Sequence, residues 1–308
     1  GTVRFCNGPG PECRPRNAGL PARAVSGISH PLPMIFETRL PARPLAGFVA
    51  RYWYYEGLDV PYERERVFPD GSSHLMVNLG DEPRRVFDRD GGERVADYRR
   101  AWVSGVHTRY LVIDARRGSS LLGVQFRPGG LTPFLPVPPG ELLDRVVELE
   151  ELLGLIVRDL RDALIEAPTP GAKFRVLEEF LLRRARRGLP RSPAVAHALE
   201  RFQRTPHMGT VDAVARGLGM SHKQFIARFR AEVGLTPKRF CRIRRFQRVI
   251  TSIGRRTAVD WPDLACACGY FDQAHFIGEF REFSGLSPTA YLRQRGEDLN
   301  HVPLTVEG

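Results

Sequence analysis

No stretch of the chain approaches the ~18 uninterrupted apolar residues that a membrane-crossing helix needs, so no transmembrane span is expected. A cleavable secretory signal is also missing. The opening "GTVRFCNGPGPECRPRNAGLPARAVSGISHPLP" has no apolar core followed by a small-residue site, and reads as a flexible leader over residues 1–33. Neither G-x-S-x-G nor a Walker-type phosphate loop occurs, which removes two common signatures of nucleophilic and nucleotide chemistry; "RPGG" at 127–130 is a turn. Cysteine is scarce. Five scattered residues in 308 fit a reducing cytoplasm better than a disulfide framework. Cys6 and Cys13 have no further ligands nearby. Cys266 and Cys268, two apart on an expected helix, point about 200° away from each other and cannot share a metal. No metal, no cofactor and no catalytic residue is assigned.

Acidic charge is short, and its shortage is local. The whole chain carries a formal +11, and residues 190–295 alone hold 18 Lys and Arg against 8 Asp and Glu. A basic excess suits a nucleic-acid partner but equally a solvated surface, so it needs a motif to acquire meaning.

The coarse pattern divides the chain. From about 34 to 135, "FVARYWYYE", "HLMVNLG", "RYLVIDAR" and "LLGVQF" are rich in β-branched and aromatic residues and are separated by turn signals such as "PDG" and "RDGGE". They predict an antiparallel sandwich or small barrel. Residues 136–189 then show helical spacing, with Leu152, Ile156, Leu160 and Leu164 on one face, as a connector that docks on the β domain or forms a dimer seam. "GLPRSP" at 188–193 marks a break. Helical spacing fills 190–295, and 296–308 is a tail. The fold class expected is therefore two-domain α+β.

Inside 190–295 the sequence repeats itself. "VDAVARGLGMSHKQFIARFRAEVGLTPKRF" and "WPDLACACGYFDQAHFIGEFREFSGLSPTAY" match at an offset of 50 from Val211/Trp261 to Gly219/Gly269, and at 51 from Phe225/Phe276 to Phe240/Tyr291. Each copy reads as a helix ending in Gly, a tight turn, and a second helix capped by Ser221 or Asp272. That is the helix-turn-helix layout, whose second helix enters the DNA major groove. With Phe225, Phe229, Phe276 and Phe280 buried, helix geometry turns His222, Lys223, Ile226 and Ala227 outward in the first unit, and Gln273, Ala274, Ile277 and Gly278 in the second. Lys223 and Gln273 suit base edges, and Ala227 or Ile277 a thymine methyl. Ser221, Arg230, Arg242, Arg245 and Arg281 suit phosphates.

Residues 190–295 resemble the DNA-binding domain of the AraC/XylS family of bacterial transcription regulators, on "LGMSHKQFIARFR", "GLTPKRF", "RFQRVI" and "LACACGYFDQAHFIGEFREFSGLSPTAYLR". The resemblance implies two helix-turn-helix units joined by a long helix, here about 237–250, with groove contacts at the positions just named. Gly278 departs from the longer residue usual there. Residues 34–153 are similar to an uncharacterised β-rich domain found ahead of such readers, which implies small-molecule sensing or dimerisation. Trp53, Tyr55, His74, Trp102, His107 and Phe126 are the candidate effector pocket.

"PDGSSHLMVN" also fits P-x-G-x-x-H-x-x-x-N, similar to the second metal motif of cupin barrels. The upstream ligand cluster of that motif is missing, with only His30 present. The expectation is a cytoplasmic, sequence-specific regulator and not an enzyme. Its partners would be double-stranded DNA, a small-molecule effector, RNA polymerase if it activates, and a second copy of itself. The competing readings are a cupin-like metal enzyme tethered to DNA, and an effector-independent DNA binder.

Overall fold

The computed structural model describes residues 34–185, 188–189, 191–204 and 211–304. The leader, with Cys6, Cys13 and His30, lies outside the described residues. Eleven strands and ten α-helices are found among the described residues.

Two antiparallel sheets form the N-terminal part. The larger has the order β1-β2-β9-β4-β7-β10, built from β1 (Ile35–Arg39), β2 (Val49–Glu56), β9 (Leu121–Phe126), β4 (His74–Asn78), β7 (Ala101–Ser104) and β10 (Val146–Glu148). The smaller has the order β11-β3-β8-β5-β6, from β11 (His301–Pro303), β3 (Arg64–Val67), β8 (Leu111–Asp114), β5 (Arg84–Phe87) and β6 (Arg94–Tyr98). Two of these strands lie outside the 34–135 expected for the β domain. β10 follows it, and β11 comes from the stretch expected to be a tail.

Period-two alternation decides what each face of the larger sheet meets. Tyr52, Tyr54, Leu75, Val77, Val103, Leu122, Val124 and Phe126 point to one side and are sealed there. The cover is α1 (Leu149–Leu153), α2 (Ile156–Glu166) and α3 (Pro170–Arg184), which contribute Val157, Leu160, Leu164, Phe174, Leu177 and Leu181. The helical face expected at 148–167 is thus mostly core, although Gly154 (φ 71°) breaks it into α1 and α2 and Ile156 stays 44% exposed. The opposite side of the sheet faces the smaller sheet, through Trp53, Tyr55, Met76 and Trp102 against Val86, Ala96 and Tyr98.

The C-terminal region is helical: α4 (Pro193–Arg204), α5 (Val211–Gly217), α6 (His222–Val233), α7 (Pro237–Ile253), α8 (Trp261–Ala267), α9 (Gln273–Ser284) and α10 (Pro288–Gln294). One apolar cluster runs through both repeats, from Val214, Phe225 and Phe229 through Phe240, Ile243 and Phe246 on α7 to Leu264, Phe276, Phe280 and Tyr291. Phe68, Val106 and Val302 from the β domain belong to the same cluster. The Phe68 ring lies 5.7 Å from that of Phe246 and 5.8 Å from that of Tyr291. Polar bonds flank this contact: Gln247 donates to the Pro69 carbonyl at 2.9 Å, Arg239 to that of Thr108 at 2.8 Å, and Arg191 to that of Gly47 at 2.8 Å. The β and helical parts therefore share a core.

Candidate nucleic-acid interface

The two repeats build the same object. In each, a short helix (α5 or α8) is followed two residues past its end by a glycine held at positive φ, Gly219 at 66° and Gly269 at 81°, a conformation an L side chain resists. The next helix is then capped. Ser221 Oγ accepts from Gln224 N at 3.3 Å while Gln224 Oε1 accepts from Ser221 N at 3.2 Å, a reciprocal capping box. Asp272 Oδ1 accepts from His275 N at 2.7 Å. Each cap stabilises its helix start by about 1 kcal/mol, which fixes where α6 and α9 begin and so which residues face outward. Both helices end at a left-handed glycine, Gly234 and Gly285.

Burial separates the faces. Phe225, Phe229, Phe276 and Phe280 are fully sealed. His222, Lys223, Ala227 and Arg230 on α6 are exposed, as are Gln273, Ala274, Gly278 and Arg281 on α9. Ile226 and Ile277 sit between: both are half-buried, and Ile277 packs against the shared core, so they flank the outward faces. His222 Nδ1 lies 3.5 Å from Asp212 Oδ1. Nothing lies within 4 Å of where a Cβ on Gly278 would stand, so the missing side chain leaves the middle of α9 open.

Two arginines expected at phosphates are engaged elsewhere. On α7, Arg239, Arg242 and Arg245 follow one another at a spacing of three and face Glu279 and Glu282 on α9. Arg245 binds Glu279 at 2.8 Å, Arg242 binds both carboxylates, and Arg239 binds Glu282 at 2.6 Å. Glu279 is 3% exposed, so its charge would be untenable without these partners. Burial works against the charge on Glu282, but hydrogen bonds from Arg239 and Arg242 outweigh it and hold the carboxyl below the usual range. Arg242 and Arg245 thus orient α9 on α7, while Arg230 and Arg281 of the same set are exposed and have no ion-pair partner among the described residues. Ser221 is exposed, but its hydroxyl is committed to the cap.

Sequence reasoning missed Phe271. It is the extra residue that moves the repeat offset from 50 to 51, and it stands 92% exposed beside the Asp272 cap while its neighbour Tyr270 is buried. The offset change was the available signal.

The β domain divides the candidate effector pocket. Trp53, Tyr55 and Trp102 face the space between the sheets, with Trp53 and Tyr55 stacked at 5.9 Å. His74 stands opposite Ser104 across the β4–β7 ladder, on the same face as Met76. Phe126 does not join them. It lies on the opposite face of β9, 0% exposed against Phe134 and the helices, because it is an odd number of residues from the inward Leu121 and Gly123. The inward residues Trp53, Tyr55, Met76, His74 and Gln125 are half-buried, unlike the sealed helix side.

One end of the lumen between the sheets is polar. His107 Nε2 bonds Ser104 Oγ at 2.8 Å, and burial pushes its pKa down to about 4, so the ring is neutral at pH 7. Asp70 is held at about 2: burial opposes its charge, but His74, the Ser72 N–H and Gln125 outweigh that. Among the described residues no group of three or more His, Cys, Asp or Glu is placed to hold a metal. A separate open groove of about 610 Å³ lies on the smaller sheet beside Arg64, Arg85, Phe87 and Arg117, and none of the six expected pocket residues lines it.

Residues 214–294 match the family described as a helix-turn-helix domain, and residues 37–148 match a domain of unknown function, DUF6597. The helix-turn-helix match covers both units described above, from α5 to α10. No curated protein matches the sequence. Among solved structures, an apo ToxT variant from Vibrio cholerae strain SCE256 aligns at 10% identity over 84% of this chain and 97% of its own, with a TM-score of 0.40. ToxT bound to an unsaturated fatty acid, from the same strain, aligns at 10% identity over 86% of this chain and 97% of its own, with a TM-score of 0.38. The xylose-binding transcription activator XylR aligns at 21% identity over 40% of this chain and 38% of its own, with a TM-score of 0.30. At these scores the likeness is loose. Among the described residues, no helix is long and apolar enough to cross a membrane.

Proposed function

We propose that the chain is a cytoplasmic, sequence-specific regulator that reads two successive major-groove segments with α6 and α9. The observation that carries this reading is the equivalence of the two outward faces: both helices are fixed by a cap at the same end, buried through a Phe pair, and exposed at equivalent positions on the side away from that pair. Lys223 and Gln273 carry base hydrogen bonds. Arg230 and Arg281 bind phosphate, and Phe271 meets the duplex beside the second reader. α7 has 17 residues and is roughly 25 Å long, of the right order to place two readers in neighbouring turns of one groove. The lumen lined by Trp53, Tyr55 and Trp102 receives the effector, and the core shared with the readers transmits its presence. RNA polymerase is the further partner if the regulator activates.

The test begins with a duplex selected from random sequence by the full chain. Lys223→Ala should weaken that duplex by about 1–3 kcal/mol and relax specificity at one or two positions, while binding to random duplex stays nearly unchanged. Equal loss on both duplexes would remove Lys223 from the base-reading role. Affinity should also fall steeply with salt, since phosphate contacts release counterions.

A further inference from the structure

Among the described residues, β1 is the outermost strand of the larger sheet and pairs in the ladder only with β2. Sheet edges of this kind are ordinarily blunted by Lys, Pro, a bulge or a covering element, because a free row of N–H and C=O groups recruits another strand. This edge reads Ile35, Phe36, Glu37, Thr38, Arg39, with neither Lys nor Pro, and both faces of it are open. Phe36 is 58% exposed and Leu40, just beyond it, 77%. Pairing with β2 sets Phe36 opposite Tyr55 and Thr38 opposite Trp53, so Phe36, Thr38 and Leu40 share the lumen side. Glu37 and Arg39, opposite Tyr54 and Tyr52, share the helix side.

We propose that two copies of this chain pair through β1, antiparallel and two-fold about Thr38, joining their larger sheets into one. The strand is self-complementary in that register. Phe36 of each copy meets Leu40 of the other, Glu37 meets Arg39, and Thr38 meets Thr38. Cross-strand apolar, opposite-charge and Thr–Thr pairs are the combinations that stabilise a ladder. Neighbouring registers fail. A two-fold about Glu37 sets two carboxylates opposite each other and Ile35 opposite Arg39, while one about Arg39 sets two guanidinium groups opposite each other. Arg39 already binds Glu178 at 3.2 Å, and its five-donor fork has room for a second carboxylate. α3 lies alongside, with Leu182 one turn beyond Glu178 and 39% exposed, which extends the apolar surface next to the strand. An interface of this kind is isologous and closes at two copies. It does not depend on the assignment of the reading helices.

Sedimentation of the full-length chain over a range of micromolar concentrations tests the proposal. A monomer–dimer equilibrium is expected. Glu37→Arg alone and Arg39→Glu alone should each weaken dimerisation roughly tenfold or more, because each opposes like charges at two positions. Mixed in equal amounts, the two variants should dimerise again, since both contacts then join opposite charges. Phe36→Ser, at an exposed position, should weaken the dimer without lowering the thermal midpoint of the dilute monomer. Three results would overturn the proposal: a monomer at every concentration, a dimer indifferent to all three substitutions, or no recovery on mixing. A monomer whose β1 amides resist hydrogen exchange would also overturn it, assigning the edge to another segment of the same chain.

Discussion

Phe68→Ala is the substitution that most sharply probes how the β domain and the readers are joined. Phe68 follows β3 in the β domain, is 4% exposed, and sits between Phe246 of α7, which it meets edge-on, and Tyr291 of α10, to which it is tilted. Truncating a sealed Phe to Ala removes its transfer free energy and leaves a cavity, about 3–5 kcal/mol in total. For a protein of ordinary stability, about 5–15 kcal/mol, that is roughly a fifth or more of the whole. The loss should fall on both parts together, because Val106 and Val302 also lie in the helical core and β11 returns after α10 to pair with β3. Tryptophan gives separate probes: Trp53 and Trp102 report the β domain and Trp261 the second helix-turn-helix unit. Two variants, one keeping Trp261 alone and one keeping only the β-domain pair, should show coincident urea transitions. Phe68→Ala should shift both midpoints equally. Two separated transitions, or a loss under about 1 kcal/mol, would refute the shared core.

Gly278→Ala should raise stability by about 1 kcal/mol in thermal or urea unfolding, because the site is open and helical Gly is poorer than Ala by that amount. A destabilised variant would mean that α9 needs the glycine for close approach. For His107, the folded pKa of about 4 lies below the unfolded value near 6.5. Its contribution is present above pH 6.5 and is lost as pH falls toward 4, on the order of 3 kcal/mol, the unfolded chain taking up the proton that the folded site refuses. Asp144 at 4.0 Å opposes this and the nearby His74 assists it. His107→Gln should flatten unfolding free energy between pH 6.5 and 4. An unchanged slope would show that other groups carry it.

The helix-turn-helix units were legible along the sequence and the joints between elements were not, for a physical reason. Helix caps, turn glycines and Phe spacing are local, so the two units and their outward faces could be read along a few dozen residues. The pairing of Arg242 and Arg245 with Glu279 and Glu282 was hidden because those partners lie on another helix, and only packing brings the charges together. Phe126 was misplaced because aromatic content marks a strand while parity decides the face, and parity needs the ladder register. β11 was invisible since three residues carry no period, and its partner β3 lies far back in the sequence. Phe271 was legible as an offset change, though its exposure was not.

The most direct test of the central claim is a hydroxyl-radical footprint of the full chain on a duplex it has selected, repeated with Gln273→Ala. Two protected segments about 10 base pairs apart on one face of the duplex are expected, with the substitution weakening the one beneath α9 and sparing the other. A single protected segment, or a uniform loss across the footprint, would contradict two helices reading side by side.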